Sequence, residues 1–379
     1  MKVLILGAGI GGLAAAIALR RAGIDVEVFE RAPQLLDVGA GISLWPNAVK
    51  GLDKLGVGAA VRAASVASYV GGIHTWRGAL LAPADADEVA RVFGAPVVIV
   101  HRAHLLATLH QAAGPETVRL GVAATGFAED ADGVSLDLGA GGTARGALLI
   151  GADGIRSVVR GQLFPQVRPR FAGQTAWRGV VHFVAPRDAA FWGETWGAGA
   201  RFGLLPMVDD CVYWYATRNA VEHEPDPPEG RRAELLRLFG AWHAPIGELI
   251  AATDEGAILR NDLHDLPPLR TWTRGRVTLL GDAAHATTPN LGQGGCQAIE
   301  DAVVLARALS QAIDVPAALQ EYEAQRIARA NRIIELSRRV GVIGNWTHPL
   351  ACGLRDTLAW LTPRWARLRS LRPIIGYEV

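Results

Sequence analysis

From Val277 to Leu280 the chain is nearly all apolar, then crosses a glycine-rich stretch, and from Ala298 its apolar residues recur at helical spacing: Ala298, Ala302, Val303, Leu305, Ala306 and Leu309. A short apolar run reads as a buried strand and the second pattern as a helix with one buried face, so this stretch predicts strand, loop, helix. The chain opens in the same way. Lys2 to Leu6 is a compact apolar strand, glycines follow at 7, 9, 11 and 12, and Leu13 to Arg21 continues as an alanine-rich helix closed by Gly23. Asp25 to Glu30 is then a second strand ending in an acid. Val3 to Leu19 carries no charge and raises the question of a membrane anchor, but its glycine spacing marks a binding turn instead. No other span is long and apolar enough to cross a bilayer.

Farther along, alternation replaces helical spacing. Tyr69 to Trp76 and Pro96 to Val100 read as strands separated by a polar, alanine-rich turn, and His101 begins a helix. Val118 to Ile150 reads as several antiparallel strands with turns at Asp130–Gly133 and Gly139–Gly142. Between about 166 and 269 the chain is β-rich and aromatic, with strands at Thr175–Phe183, Arg201–Met207 and Cys211–Thr217. A hairpin centred on Asp209 would put Arg201, Gly203, Leu205, Tyr213 and Tyr215 on one face. A helix over Arg231–His243 interrupts this sheet. Asp314-Val-Pro316 caps a long helix ending near Val340, with Leu319, Tyr322, Ile327, Ala330 and Ile334 on its buried stripe.

These patterns predict an α/β protein of two interleaved parts. A Rossmann-like dinucleotide domain takes 1–70, 98–165 and 270–340, a mixed β-sheet substrate domain takes 71–97 and 166–269, and 341–379 forms a C-terminal helical segment rich in Trp, Leu and Arg. With 379 residues, 50% of them hydrophobic, the chain can bury a large core. A net charge of +1, with no basic block in the first three-quarters of the chain, gives no electrostatic case for nucleic acid, so a small-molecule substrate is expected. Three scattered cysteines without a CxxC argue against disulfides or structural zinc, and no metal is expected; a reduced cytoplasm is the default.

The candidate chemistry lies in three motifs. Gly7, Gly9 and Gly12 form G-x-G-x-x-G between strand and helix, and Glu30 follows Gly12 by 18 residues, near the distance at which a carboxylate reaches a ribose. Gly151-Ala-Asp-Gly-Ile-Arg-Ser-Val-Val-Arg160 follows a strand; its glycines let backbone approach a pyrophosphate, Asp153 is also a helix-cap candidate, and Arg160 is a cation. The loop Gly281 to Gly295 opens a helix, whose free N–H groups stabilise negative charge. Cys296 stands at that helix start, where a thiol pKa can fall, though a small packed residue is the plainer reading.

The wording GDAAHATTPNLGQGG, with the other two motifs in order, resembles the FAD-dependent aromatic hydroxylases, single-component flavoprotein monooxygenases of the p-hydroxybenzoate and salicylate hydroxylase type. Its finer detail is similar to the urate hydroxylase and zeaxanthin epoxidase branch. The resemblance implies FAD as the tightly held cofactor, NADH or NADPH as co-substrate, and transfer of one O2 atom to an electron-rich carbon through a flavin C4a-hydroperoxide. It implies that Gly7, Gly9, Gly12, Glu30, Arg31, Arg102, Asp153, Arg160, Asp282, Pro289, Gly292, Gly294 and Gly295 hold the cofactor, with Arg160 near the docking place of NAD(P)H. Gly39 to Asn47 resembles the segment that runs past the flavin. Arg201 and Tyr213 stand where the urate enzymes carry a catalytic arginine and tyrosine; Asn290 stands where they carry an aspartate, and an amide cannot accept a proton as a carboxylate does. The implied activity is hydroxylation of a small aromatic or heteroaromatic ring, with epoxidation of a polyene or other apolar alkene as the alternative, by a monomer or homodimer. The W-x-W-x-I-P of flavin-dependent halogenases is missing; Tyr213-Trp-Tyr215 is not that motif.

Overall fold

The computed structural model describes residues 1–35, 40–66, 69–186 and 189–379; Gly39, the first residue of the segment expected beside the flavin, lies outside them. Its centre is a six-stranded sheet in the order Thr273–Arg274, Val277–Leu279, Leu148–Gly151, Lys2–Leu6, Asp25–Glu30, Val118–Leu120. All neighbours pair in parallel except the first two. A parallel sheet covered on both faces needs strands apolar throughout, and Val3, Leu4, Ile5, Leu148, Leu149 and Ile150 are fully buried. Helices Ile10–Arg21 and Gly294–Gln311 pack on one another beside it. The carboxyl ends of Lys2–Leu6, Leu148–Gly151 and Val277–Leu279 therefore emerge side by side, each followed by one glycine-bearing motif, as ligand-binding open sheets require.

A second sheet of seven strands has the order Leu259–Asp265, Arg170–His182, Cys211–Asn219, Ala200–Pro206, Gly193–Trp196, Val70–Thr75, Leu80–Asp85. Its hairpin register pairs Leu205 with Tyr213, Gly203 with Tyr215 and Arg201 with Thr217, so it is centred on Asp209. Asp209 and Asp210 take φ of 56° and 51°, the left-handed pair that matches the strand twist in a tight hairpin. Alternation then divides the sheet. Trp177, Phe202, Leu204, Trp214 and Ala216 pack with Leu235, Phe239, Leu249 and Ile250 of the covering helices Arg231–Phe239 and Ile246–Ala252. Burying each of these large side chains contributes about 1.5–3 kcal/mol. Arg178, Val180, Arg201, Gly203, Leu205, Tyr213 and Tyr215 take the other parity and form the opposite face.

Several expectations change. The supposed turn after Trp76 contains the edge strand Leu80–Asp85 and the helix Ala86–Phe93; Asp85 caps that helix by accepting from the Asp87 and Glu88 N–H groups, and Gly94 ends it with φ 75°. Strand Val98–His101 pairs with Gly41–Leu44 in a separate two-stranded ribbon. Within 118–150, only Gly126–Glu129, Val134–Asp137 and Thr143–Gly146 form an antiparallel sheet; the flanking strands join the parallel one. The helix expected over Arg231–His243 stops at Phe239, and the long helix runs Val315–Gly344 with Asp314 accepting from the Ala317 N–H.

Candidate functional site

The turn after Lys2–Leu6 is built so that backbone, not side chain, lines it. Gly7 takes φ 107°, and a Cβ on Gly12 would lie 1.9 Å from the Gly7 carbonyl oxygen, so strand and helix meet too closely for any side chain there. A Cβ on Gly9 would meet nothing within 4 Å. Gly9 is the N-cap of helix Ile10–Arg21 and gives it no side-chain cap, which leaves the first-turn N–H groups facing that open space. Glu30 sits beside the turn, accepting from the Ala8 N–H at 2.8 Å and the Ala32 N–H at 3.0 Å.

The second motif lies beside the first, after the neighbouring strand Leu148–Gly151. Asp153 Oδ2 accepts from the Val158 N–H at 2.6 Å, while its buried Oδ1 has no partner; burial raises its carboxyl pKa, opposed by the hydrogen bonds from Ser157 and the helix N–H groups. Arg160 corrects an expectation. It is 3% exposed, and its guanidinium donates to the Ala283 carbonyl at 3.0 Å and to the Ile155 carbonyl. Helix geometry turns it inward, so it ties the second motif to the third and does not line the cleft surface. The cations at the surface of the cleft are Arg31, Arg156 and Arg178. This cleft, of about 640 Å³, is also bordered by Asp153, Gly154, Asp282, Thr287 and Pro289.

In the third motif Asp282 is exposed on the cleft wall, with His285 and Arg102 as charged neighbours. Pro289–Leu291 forms one tight turn, Gly292 follows with φ 60°, and Gly294 and Gly295 begin the long helix. Below this loop lies a buried charge network that the motifs did not announce. Asp301 Oδ2 accepts from the Gly281 N–H at 3.0 Å and pairs with His285 Nε2 at 2.5 Å; its Oδ1 accepts from Arg326 at 2.7 Å. Burial alone would raise the Asp301 carboxyl, but His285 and Arg326 outweigh it and hold it at about 2. Arg326 also donates to Glu300, which Arg329 holds with two further bonds of 2.8 Å. Cys296 is fully buried, and burial pushes its thiol up to about 12, so the helix start does not activate it.

The face of the second sheet turned toward this loop carries the remaining candidates. Arg201, 2% exposed, donates to Asn345 Oδ1 at 2.8 Å, to Glu194 at 3.3 Å and to Asn290 Oδ1. Arg201 and Asn290 are thus brought together, although 89 residues apart. Asn290 Nδ2 donates to Thr288 Oγ1 and the Ser337 carbonyl, so its whole amide ties the loop to the sheet and the long helix. Tyr213 is not brought to Arg201. It pairs with Leu205 while Arg201 pairs with Thr217, four residues along the hairpin, roughly 13 Å. Its neighbours are Gly41, whose added Cβ would lie 2.3 Å from the ring, and Arg178.

The phenol joined to Arg201 is Tyr215, which donates to Glu194 Oε2 at 2.5 Å. Glu194, Gly203 and Tyr215 lie side by side on three neighbouring strands, and Gly203 lets the Tyr215 ring cross it. A Cβ on Gly203 would come within 2.0 Å of that ring. A glycine opposite a tyrosine in the expected hairpin was the available signal; Glu194 belongs to a strand with no periodicity to mark it. Burial, then the Glu194 charge, keeps the Tyr215 phenol protonated well above the usual tyrosine range.

The first two motifs fit a dinucleotide: Gly9 leaves room where helix N–H groups converge, and Asp153 offers an unpaired buried acceptor. Gly9→Leu is expected to fold, because a Cβ there meets nothing within 4 Å, yet to purify with less than about a tenth of the flavin; Gly12→Ala is expected to fail to fold. Flavin absorbance per chain and melting curves check the pair, and a fully loaded Gly9→Leu protein would remove the turn from the cofactor site.

Comparison with known proteins supplies the chemistry. Residues 1–337 match the family model described as FAD binding domain. The chain is 47% identical over 358 residues to the aurachin C monooxygenase/isomerase of Stigmatella aurantiaca, covering 94% of this chain and 93% of that protein. It is 36% identical over 375 residues to the 2-heptyl-3-hydroxy-4(1H)-quinolone synthase of Pseudomonas aeruginosa, covering 97% and 96%. The crystal structure of Klebsiella pneumoniae HpxO complexed with FAD and uric acid superposes with a TM-score of 0.93 at 34% identity, over 99% of this chain and 96% of that one.

Proposed function

The chain belongs to the FAD-binding-domain family of flavin-dependent monooxygenases, and from that premise we propose that it hydroxylates a nitrogen heteroaromatic ring bearing an apolar substituent, with NADH or NADPH and O2 as co-substrates. Bound FAD supplies two-electron transfer from the nicotinamide and delivery of one O2 atom to the ring, the other leaving as water. The chain's own residues bind, orient and exclude water. In this reading Glu30, Asp153 and the N-terminus of helix Ile10–Arg21 would hold the adenosine and pyrophosphate, and Asp282 and the loop Pro289–Gly295 the ribityl chain and ring; the unpaired Asp153 Oδ1 and the uncapped helix start support it.

The observation that carries the substrate reading is the division of the sheet face. At one end Arg201, Glu194 and Tyr215 form a polar cluster joined to the loop through Asn290. At the other, Ala40, Ile99, Met207 and Tyr213 form an apolar cluster with Val180 and Leu205 packed against it. A ring with polar edges would meet the first and its apolar substituent the second. The quinolone for which one relative is named carries such a substituent, a heptyl chain, whereas the uric acid bound in HpxO does not. The Asn290 amide does not accept a proton near neutral pH, so proton removal at that position, as a carboxylate would perform it, is not part of this reading.

The test is NADH and NADPH oxidation by the FAD-loaded protein with 2-alkyl quinolones, unsubstituted quinolones, urate, salicylate and a polyene. Stimulation at least tenfold greater for the alkylated ring is expected, together with a product heavier by one oxygen atom. Preference for urate or salicylate would replace the apolar-substituent reading, and oxidation of the polyene alone would replace ring hydroxylation by epoxidation.

A further inference from the structure

Along helix Pro349–Leu361 the residues Leu350, Leu354, Leu358 and Leu361 recur every three or four positions and share one face. That face points outward: the four leucines are 79%, 56%, 55% and 61% exposed. The buried residue of the helix is Arg355. Its guanidinium donates to the Gly197 and Gly344 carbonyls, pairs with Asp356, and lies over the Trp196 ring at 5.0 Å. The usual arrangement of a surface helix is inverted here, with the cation anchored inside and the leucines outside. Trp360 and Trp365 extend the apolar surface onto the following helix, Arg364–Ile375. A contiguous exposed apolar surface of this kind marks a contact with something other than water.

Charge says what covers it. From residue 346 onward the chain has five arginines and two acids, and both acids are paired, Asp356 with Arg355 and Glu378 with Lys50. Arg369 and Arg372 are exposed and, among the described residues, have no side-chain hydrogen bond or ion pair. With Val92, Trp365 and Leu368 they border a recess of about 400 Å³. A second copy of this segment could offer these arginines no free acid. Cations beside tryptophans and leucines complement anionic headgroups above acyl chains. No helix among the described residues is long and apolar enough to cross a membrane, so the contact would lie along its surface.

We propose that the helices Pro349–Leu361 and Arg364–Ile375 dock the protein on an anionic lipid bilayer. The leucines and tryptophans enter the headgroup and acyl boundary, while Arg369 and Arg372 meet lipid phosphates. The proposal does not depend on which ring the enzyme hydroxylates.

Co-sedimentation of the FAD-loaded full chain with phosphatidylcholine vesicles, and with vesicles also containing phosphatidylglycerol, tests it. The expected result is sedimentation with the anionic vesicles that weakens with salt. Leu354→Glu/Leu358→Glu should bind at least tenfold more weakly, with flavin content and melting temperature unchanged because both side chains are exposed. Arg369→Gln/Arg372→Gln should lose roughly fivefold per charge removed. Wild-type protein left in the supernatant with both vesicle types would overturn the proposal, as would binding indifferent to the leucine substitutions. A wild-type dimer in sedimentation velocity that Leu354→Glu/Leu358→Glu dissociates, with no vesicle binding, would assign the surface to a second copy instead.

Discussion

Replacing Arg326 by methionine is expected to lower the unfolding free energy by about 4 kcal/mol, because it leaves Glu300 and Asp301 buried without their central cation. The guanidinium is fully buried and also donates to Gln297 Oε1 at 2.8 Å. A methionine fills similar volume, so the loss is electrostatic rather than a cavity. The effect should reach the flavin loop, since Asp301 also holds the Gly281 N–H and His285. Urea unfolding and flavin content of the purified variant check both parts; full stability would show that Arg329 alone neutralises the acids. The acid limb gives a further readout. With a folded pKa of about 2, Asp301 contributes stability that is complete above its unfolded pKa, near 3.9, and lost as pH falls toward 2. Without Arg326 the folded pKa rises toward or past the unfolded value, so this contribution shrinks and the acid loss that Asp301 accounts for becomes shallower.

The second large effect is expected at Arg201. Arg201→Ala should retain most FAD, because the proposed glycine motifs follow strands of the other sheet, yet lose about a hundredfold in substrate-dependent NAD(P)H oxidation, the scale of misplacing reacting groups by about 1 Å. Arg201 holds three groups from three segments: Asn345 after the long helix, Glu194 on the next strand and Asn290 in the loop. It acts as a positioning residue, fixing the loop against the sheet and the charge partner of Tyr215. Arg201→Lys supplies the charge but not the planar fork, so it should restore stability more than turnover. Steady-state kinetics beside flavin content and melting temperature separate the roles; unchanged turnover with a lowered melting temperature would make Arg201 structural only.

The sequence by itself determined the elements whose signals are local. Strand, glycines, helix and acid from Lys2 to Glu30 are short-range sterics and periodicity, and the Asp209 hairpin followed from one turn and strict alternation. The missed helix Ala86–Phe93 was equally legible, since Asp85 and Gly94 are a standard cap pair and only the alanine-rich composition hid it. Tertiary structure decided the rest. Asn290 meets Arg201 across 89 residues, and Tyr215 reaches Glu194 because three strands align with a glycine between them. Arg160, Arg326 and Arg355 are charged yet buried, while Leu354 and Leu358 are apolar yet exposed. Periodicity tells which residues share a face. What that face meets depends on partners brought together by folding, and a buried charge is tolerated only where those partners are already in place.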